Sequence, residues 1–89
     1  MKVLFQHIDR YQESTPDAKV YQINGSNELT DEILAQIISR HFGDISYDEA
    51  LEDVQNWDNM DVDASNTHVC LWGEETDMIF TNLDPLLEG

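Results

Sequence analysis

Runs of alternating apolar and polar residues near both ends of the chain predict β-strands. Two lie near the N-terminus, at Met1 to Ile8 and Ala18 to Ile23, and in the second we expect Tyr21 to point outward. Two more lie near the C-terminus, at His68 to Trp72 and Asp77 to Leu83. The polar segment between the first pair and the four-residue link between the second pair predict two antiparallel hairpins.

Between the two strand pairs, the apolar spacing changes to the period of amphipathic helices. Thr30, followed by two acids, predicts the start of a first helix, and Gly43 predicts its end. Ser46 and Glu49 have the spacing of a capping box and predict the start of a second helix. Its apolar side is formed by Tyr47, Ala50, Leu51, Val54 and Trp57, and its polar side by Asp48, Glu49, Glu52, Asp53 and Asn56.

The order strand, strand, helix, helix, strand, strand predicts an α+β fold. We expect an antiparallel sheet of about four strands, covered on one face by the two helices. At 89 residues the chain suits one domain with a modest core, spanning residues 1–89. The stretch Asp58 to Thr67, between the second helix and the third strand, is predicted to be an acidic loop.

The charge of the chain is large and unevenly divided. The net charge is −15, and residues 41–89 contain thirteen acids and no Lys or Arg. A surface of this sign repels nucleic acid and anionic lipid, so we expect a basic protein as partner and no direct binding to nucleic acid or membrane. The single cysteine rules out an internal disulfide, and the run Val3 to Phe5 is too short for a signal peptide. These features favour the cytoplasm.

Three patterns resemble reactive or metal-binding sites but have simpler interpretations. Asp61 to Asn66 resembles the start of an EF-hand calcium loop, yet Asn66 stands where that loop needs Gly and Trp72 where it needs Glu. His68 and Cys70 share one side of a predicted strand, but two ligands do not make a zinc site, and we expect a partly buried thiol. The many carboxylates lack the contrasting environments of catalytic pairs. With no phosphate loop, Ser/His/Asp pattern or cofactor motif, we expect no enzyme, metal or cofactor.

Three large apolar residues lie among the acids: Trp57, Met60 and Trp72. Aromatic residues and Met are favoured at the centres of protein interfaces, so all three are candidate contact residues. The alternative is that the two tryptophans are the largest pieces of a small core. We expect Trp72 to be in the core, and for Trp57 both interpretations stay open.

The stretch Ser46 to Asp63 carries seven carboxylates and no base. If it were helical throughout, these charges would span about 27 Å, or about 4 Å per charge. One strand of DNA carries a charge about every 3.4 Å. The match favours an acidic surface used for binding. A surface kept for solubility, or adapted to high salt, is the alternative.

In size and uneven acidity, the chain resembles the phage-encoded acidic inhibitors, a class that includes nucleic-acid mimics, anti-restriction proteins and anti-CRISPR proteins. The resemblance rests on residues 44–77. It implies a stoichiometric inhibitor in the host-cell cytoplasm that occupies the nucleic-acid-binding site of a basic host defence complex. The implied partner-binding residues are Asp44, Asp48, Glu49, Glu52, Asp53, Trp57, Asp58, Met60, Asp61, Asp63, Glu74 and Glu75.

Two other classes of protein share these properties. An immunity protein or antitoxin that neutralises a basic nuclease or toxin is also small and acidic, and its gene should lie beside that of its toxin. A salt-adapted scaffold protein is the other class, and it should require molar salt for stability. The sequence does not indicate an oligomeric state.

Overall fold

A computed structural model describes residues 1–9, 17–25, 28–57, 59–63, 67–73 and 76–84 of the chain. Along them run the strands and helices β1 (Lys2–Asp9), β2 (Asp17–Gln22), α1 (Asp31–Phe42), α2 (Tyr47–Gln55), β3 (Met60–Val62), β4 (His68–Trp72) and β5 (Thr76–Asn82). The predicted α+β class with two helices and an antiparallel sheet is confirmed. The predicted number of strands is wrong, because the sheet has five strands.

The sheet has the spatial order β2, β1, β5, β4, β3, and all its neighbouring strands are antiparallel. Both predicted hairpins, β1 with β2 and β4 with β5, are present. The last strand, β5, lies at the centre and joins the two hairpins by pairing with β1. This arrangement places β2 and β3 at opposite edges of the sheet.

The additional strand, β3, lies inside the segment that we predicted to be a loop. Met60 pairs with Leu71 and Val62 with Val69, which adds β3 to the outer side of β4. A strand of three residues is too short to show an alternating pattern, so its pairing with the following strand, β4, could not be predicted from periodicity. The second helix correspondingly ends at Gln55, so Ser46 to Asp63 is a short helix followed by an edge strand.

The predicted starts of both helices and the predicted end of α1 are confirmed by their hydrogen bonds. Thr30 Oγ1 accepts from the backbone N–H of Ile33 at 3.3 Å, and Ser46 Oγ accepts from the N–H of Glu49 at 3.2 Å. Gly43, at φ 65°, ends α1 and donates its N–H to the carbonyl oxygen of Ser39. A side chain at this left-handed φ would be strained, which explains glycine there.

Both helices pack on the same face of the sheet. The strand residues of the core are Val3, Phe5, Tyr21, Val69, Leu71, Met78 and Phe80, which the strand pairing places on one face. Tyr21 was predicted to point outward, but it is buried and its neighbour Val20 is 50% exposed. The reason is that Tyr21 pairs with Val3, whose side of the sheet the helices cover.

A chain of hydrogen bonds fixes the end of α1 to the edge strand β2. The ring of His41 bonds to the hydroxyl of Tyr21 through Nδ1 and to the carboxylate of Asp17 through Nε2, both at 2.8 Å. The ring of Phe5 packs edge-on against His41 at a centroid distance of 4.7 Å. Burial, and then the charge of Asp17, raise the pKa of the Tyr21 phenol, which is therefore a neutral hydrogen-bonding group at pH 7.

The other face of the sheet, here called the open face, is covered by neither helix. Its apolar members are Ala18 and Val20 on β2, Leu4 and Ile8 on β1, Ile79 on β5, and Cys70 and Trp72 on β4. Leu4, Ile8 and Ile79 are half-buried by their neighbours, whereas Trp72 is 42% exposed. Among the described residues, no helix combines the length and the apolar character needed to cross a membrane.

Candidate protein-binding surface

The outward side of α2 is a face of four exposed carboxylates: Asp48, Glu49, Glu52 and Asp53. We call this set the acidic face. Ala50 and Val54, on the opposite side of the helix, are fully buried and fix which side points outward. The first two acids lie in the first turn, where the helix dipole favours negative charge. Asp44, in the connector between the helices, is also exposed.

The acidic face is not neutralised by any Lys or Arg that the structure describes. Within the described parts of the chain, no Lys or Arg forms an ion pair with Asp44 or with a carboxylate of the acidic face. The described bases lie on the β2 side of the molecule: Lys2 on β1, Lys19 on β2, and Arg40, whose Nη1 donates to the carbonyl oxygen of Gln22 at 3.4 Å. The described Lys and Arg side chains therefore form no ion pair with the acidic face.

Two further predicted site residues, Asp61 and Asp63, are exposed at the β3 edge. Asp63 has a structural function, since its carboxylate accepts hydrogen bonds from the N–H and hydroxyl of Thr67 and from the N–H of His68. These bonds join the end of β3 to the start of β4. Asp61 instead accepts a hydrogen bond from the indole Nε1 of Trp72 at 2.6 Å.

The two tryptophans have different environments, and the expected core position of Trp72 is wrong. Trp72 is 42% exposed on the open face, because the pairing of β4 with β5 turns Val69 and Leu71 toward the helices. Trp57 is half-buried against the core. Its Nε1 donates to the carbonyl oxygen of Trp72 at 2.7 Å, so it holds the end of α2 against the end of β4.

A surface depression of about 350 Å³ lies at the corner where the β3 edge meets the open face. It is lined by Asn59, Met60, Asp61 and Trp72. The backbone N–H of Trp72 donates to the carbonyl oxygen of Asn59 at 2.9 Å, which fixes the two strands across the depression. Sequence reasoning selected Met60 and Asp61 for this region but missed Asn59 and the exposure of Trp72.

The His68 and Cys70 pair has no arrangement suited to nucleophilic chemistry. Cys70 is buried, and burial together with the charges of Asp77 and Asp61 raises the pKa of its thiol. The neutral thiol, which is a poor nucleophile and metal ligand, is the form present at pH 7. His68 Nδ1 is instead 3.2 Å from the hydroxyl of Thr81. No three His, Cys, Asp or Glu side chains among the described residues gather as a metal site.

Three predicted contact residues, Asp58, Glu74 and Glu75, lie outside the described residues. The others fall into two neighbouring groups. One group is the acidic face of α2 with Asp44, and the other is the β3 edge with Met60, Asp61 and Asp63. Trp57 lies between them at the end of α2, where its indole bonds to β4.

Comparisons with known proteins identify no relative. The chain matches no protein-family model, no curated protein and no solved structure. Its resemblance to acidic inhibitors thus rests on size and charge, and its binding chemistry has to follow from its own exposed carboxylates and open sheet face.

Proposed function

We propose that the protein is a stoichiometric inhibitor that binds a basic, nucleic-acid-binding protein or complex, of the kind that phage-encoded inhibitors of host defence target. Its carboxylates bind the Lys and Arg side chains with which the partner otherwise contacts phosphates. The observation that carries the proposal is the acidic face of α2, which is exposed and forms no ion pair with a Lys or Arg among the described residues.

The energetics of the acidic face support a role beyond the fold. Asp48 with Glu52, and Glu49 with Asp53, are like-charge pairs four residues apart, and each costs about 0.2–0.5 kcal/mol of helix stability. The buried side of α2 does not require these acids. A basic partner would remove this repulsion by supplying the missing positive charge, and complementary charge would also speed the encounter.

The structure changes the form of the mimicry. Because α2 ends at Gln55, the acids do not form one helical row of about 27 Å as the sequence allowed. They form a helical group, the acidic face with Asp44, and a second group at the β3 edge. The partner in this proposal contacts both groups with separate basic residues, while apolar contacts supply much of the residence time.

The test is capture of partners from a bacterial lysate at low salt by an immobilised triple variant, Asp48→Asn, Glu52→Gln and Asp53→Asn. These exchanges keep side-chain size while removing three charges. We expect about tenfold weaker capture of nucleic-acid-binding proteins, because exposed ion pairs each contribute about 0.2–1 kcal/mol. Added DNA or RNA should displace the captured protein from the unmodified chain.

A matched control makes the same change in net charge elsewhere: Glu32→Gln, Ala18→Lys and Gln22→Lys. These residues are exposed and lie on α1 and β2, away from the acidic face. The control should capture partners almost as well as the unmodified chain. Equal losses in both variants would mean that total charge, and not the acidic face, attracts the partner. Partners that resist both salt and competing nucleic acid would contradict the proposal outright.

A further inference from the structure

The depression beside Trp72 has the chemistry of a cation site. Trp72 exposes its indole ring on the open face, and the hydrogen bond from its Nε1 to Asp61 Oδ2 fixes the ring against a carboxylate. The structure gives the other oxygen, Asp61 Oδ1, no partner among the described residues. An aromatic face and an available carboxylate oxygen therefore lie side by side in a depression that Asn59 and Met60 also line.

The depression is also held in place before any ligand arrives. Trp57 donates to the carbonyl oxygen of Trp72, and the N–H of Trp72 donates to the carbonyl oxygen of Asn59. These bonds fix the backbone on both sides of the exposed indole. A site fixed in this way loses little side-chain entropy on binding, which favours affinity.

We propose that this depression binds the side chain of an arginine on the partner's surface, an inference that rests on the proposed function. The planar guanidinium can stack on the indole of Trp72 while its N–H groups donate to Asp61 Oδ1. A lysine ammonium fits less well, because it is a strongly hydrated point charge without a stacking plane. At about 350 Å³, the depression is at the small end of ligand pockets and suits one side chain.

This site would give the surface a specific anchor. The acids of α2 attract any basic surface, whereas Trp72 and Asp61 together select the shape of one residue type. Trp and Arg are both enriched at the hot spots of protein interfaces, and hot spots on the two partners tend to pair.

The experiment titrates the ¹⁵N-labelled protein with N-acetyl-arginine amide and, separately, with N-acetyl-lysine amide at the same ionic strength. The chain has two tryptophans, so we expect two indole N–H signals. Loss of one signal in the Trp72→Phe variant assigns it. We expect N-acetyl-arginine amide to shift the Trp72 signal along a saturating curve, and to bind several-fold more tightly than N-acetyl-lysine amide. The Trp57 signal is the internal reference and should move little.

Asp61→Asn is the decisive variant. Asparagine can still accept the hydrogen bond from Trp72 Nε1, so the ring should stay in place while the negative charge is lost. We expect several-fold weaker arginine binding, with the Trp57 signal retained as evidence that the domain is folded. A response equal to that of the unmodified chain would overturn the arginine site. Equal binding of the two ligands, or linear shifts of both indole signals without saturation, would also overturn it.

The triple variant of the acidic face separates this proposal from the general function. It should keep the saturating shift of the Trp72 signal even though it loses basic partners in the capture experiment. Partner capture without any arginine-dependent shift would disprove the depression as an arginine site while leaving the inhibitor proposal standing. A specific arginine shift in a chain that captures no partner would support the site and refute the inhibitor proposal.

Discussion

The acidic face of α2 carries four carboxylates on a helix of nine residues, whereas the open face of the sheet carries apolar side chains on four strands. Both surfaces are outside the core, but they exert forces of different range. Exposed charges act over about 10 Å at ordinary salt, and apolar surface acts only on contact. The molecule therefore has one surface suited to attracting a partner and another suited to holding it.

The contrast follows from the two-layer architecture. Each helix buries one side against the sheet and can keep charge on the other side. Because both helices lie on one face of the sheet, they do not cover its second face. Leu4 and Ile79 fill much of that second face with half-buried apolar area. At the β3 edge, a separate carboxylate, Asp61, is hydrogen-bonded to Trp72 of the open face.

The largest expected effect is a loss of stability when a side chain on the core face of β5 is shortened, compared with one on its open face. Phe80 is fully buried under the helices, whereas its neighbour Ile79 is half-buried on the open face. We expect Phe80→Ala to lower the free energy of unfolding by about 3–5 kcal/mol, because it leaves a cavity in the core. Ile79→Ala should cost clearly less, near or below the lower end of the roughly 2–5 kcal/mol found for buried isoleucines.

Urea unfolding of both variants measures the difference. If Ile79→Ala cost as much as Phe80→Ala, the open face would be a second core, and the contrast between the two surfaces would be wrong.

A smaller effect should come from weakening the helix that presents the acidic face. Ser46→Ala removes the hydroxyl that accepts the N–H of Glu49, and we expect it to lower stability by about 1 kcal/mol. Thr30→Ala makes the matching change at the start of α1, where the same type of bond is present. Thermal unfolding followed by circular dichroism compares them. A negligible loss for Ser46→Ala would indicate that packing alone orients the acidic face.

The smallest effect should be a gain in stability from removing one acid. Glu52→Gln relieves the repulsion from Asp48 one turn earlier, so we expect stability to rise by about 0.2–0.5 kcal/mol at low salt. Glu32→Gln, in the first turn of α1, should act in the opposite direction because it removes a charge that the helix dipole favours. Both differences should shrink in 1 M salt. A loss of stability in Glu52→Gln would show that the acids of α2 stabilise the fold.

Much of the fold could be predicted from local patterns in the sequence. The strand His68–Trp72 has its predicted bounds, both helices start at their predicted caps, and α1 ends at the predicted Gly43, whereas the end of α2 at Gln55 was not predicted. These features depend on residues near one another in the chain: a hydroxyl three residues before an N–H, a glycine at positive φ, or an alternation over five residues. The placement of the acids on one side of α2 also follows from the spacing of neighbouring residues.

The tertiary structure decided the features that depend on distant partners. Along β4 both sides are apolar, so the alternation could not tell whether Leu71 or Trp72 faces the core. The pairing with β5 made that choice by aligning Leu71 with Met78. Met60–Val62 becomes a strand by pairing with the nearby β4, and it is too short for alternation to predict that pairing. The sequence by itself determined the helices, most of the strands and the unbalanced charge, since each is written in neighbouring residues. Which face of the sheet is open depended on the pairing of β1 with β5, which are far apart in the chain, and the pairing of β3 with β4 placed Asp61 beside the exposed indole of Trp72.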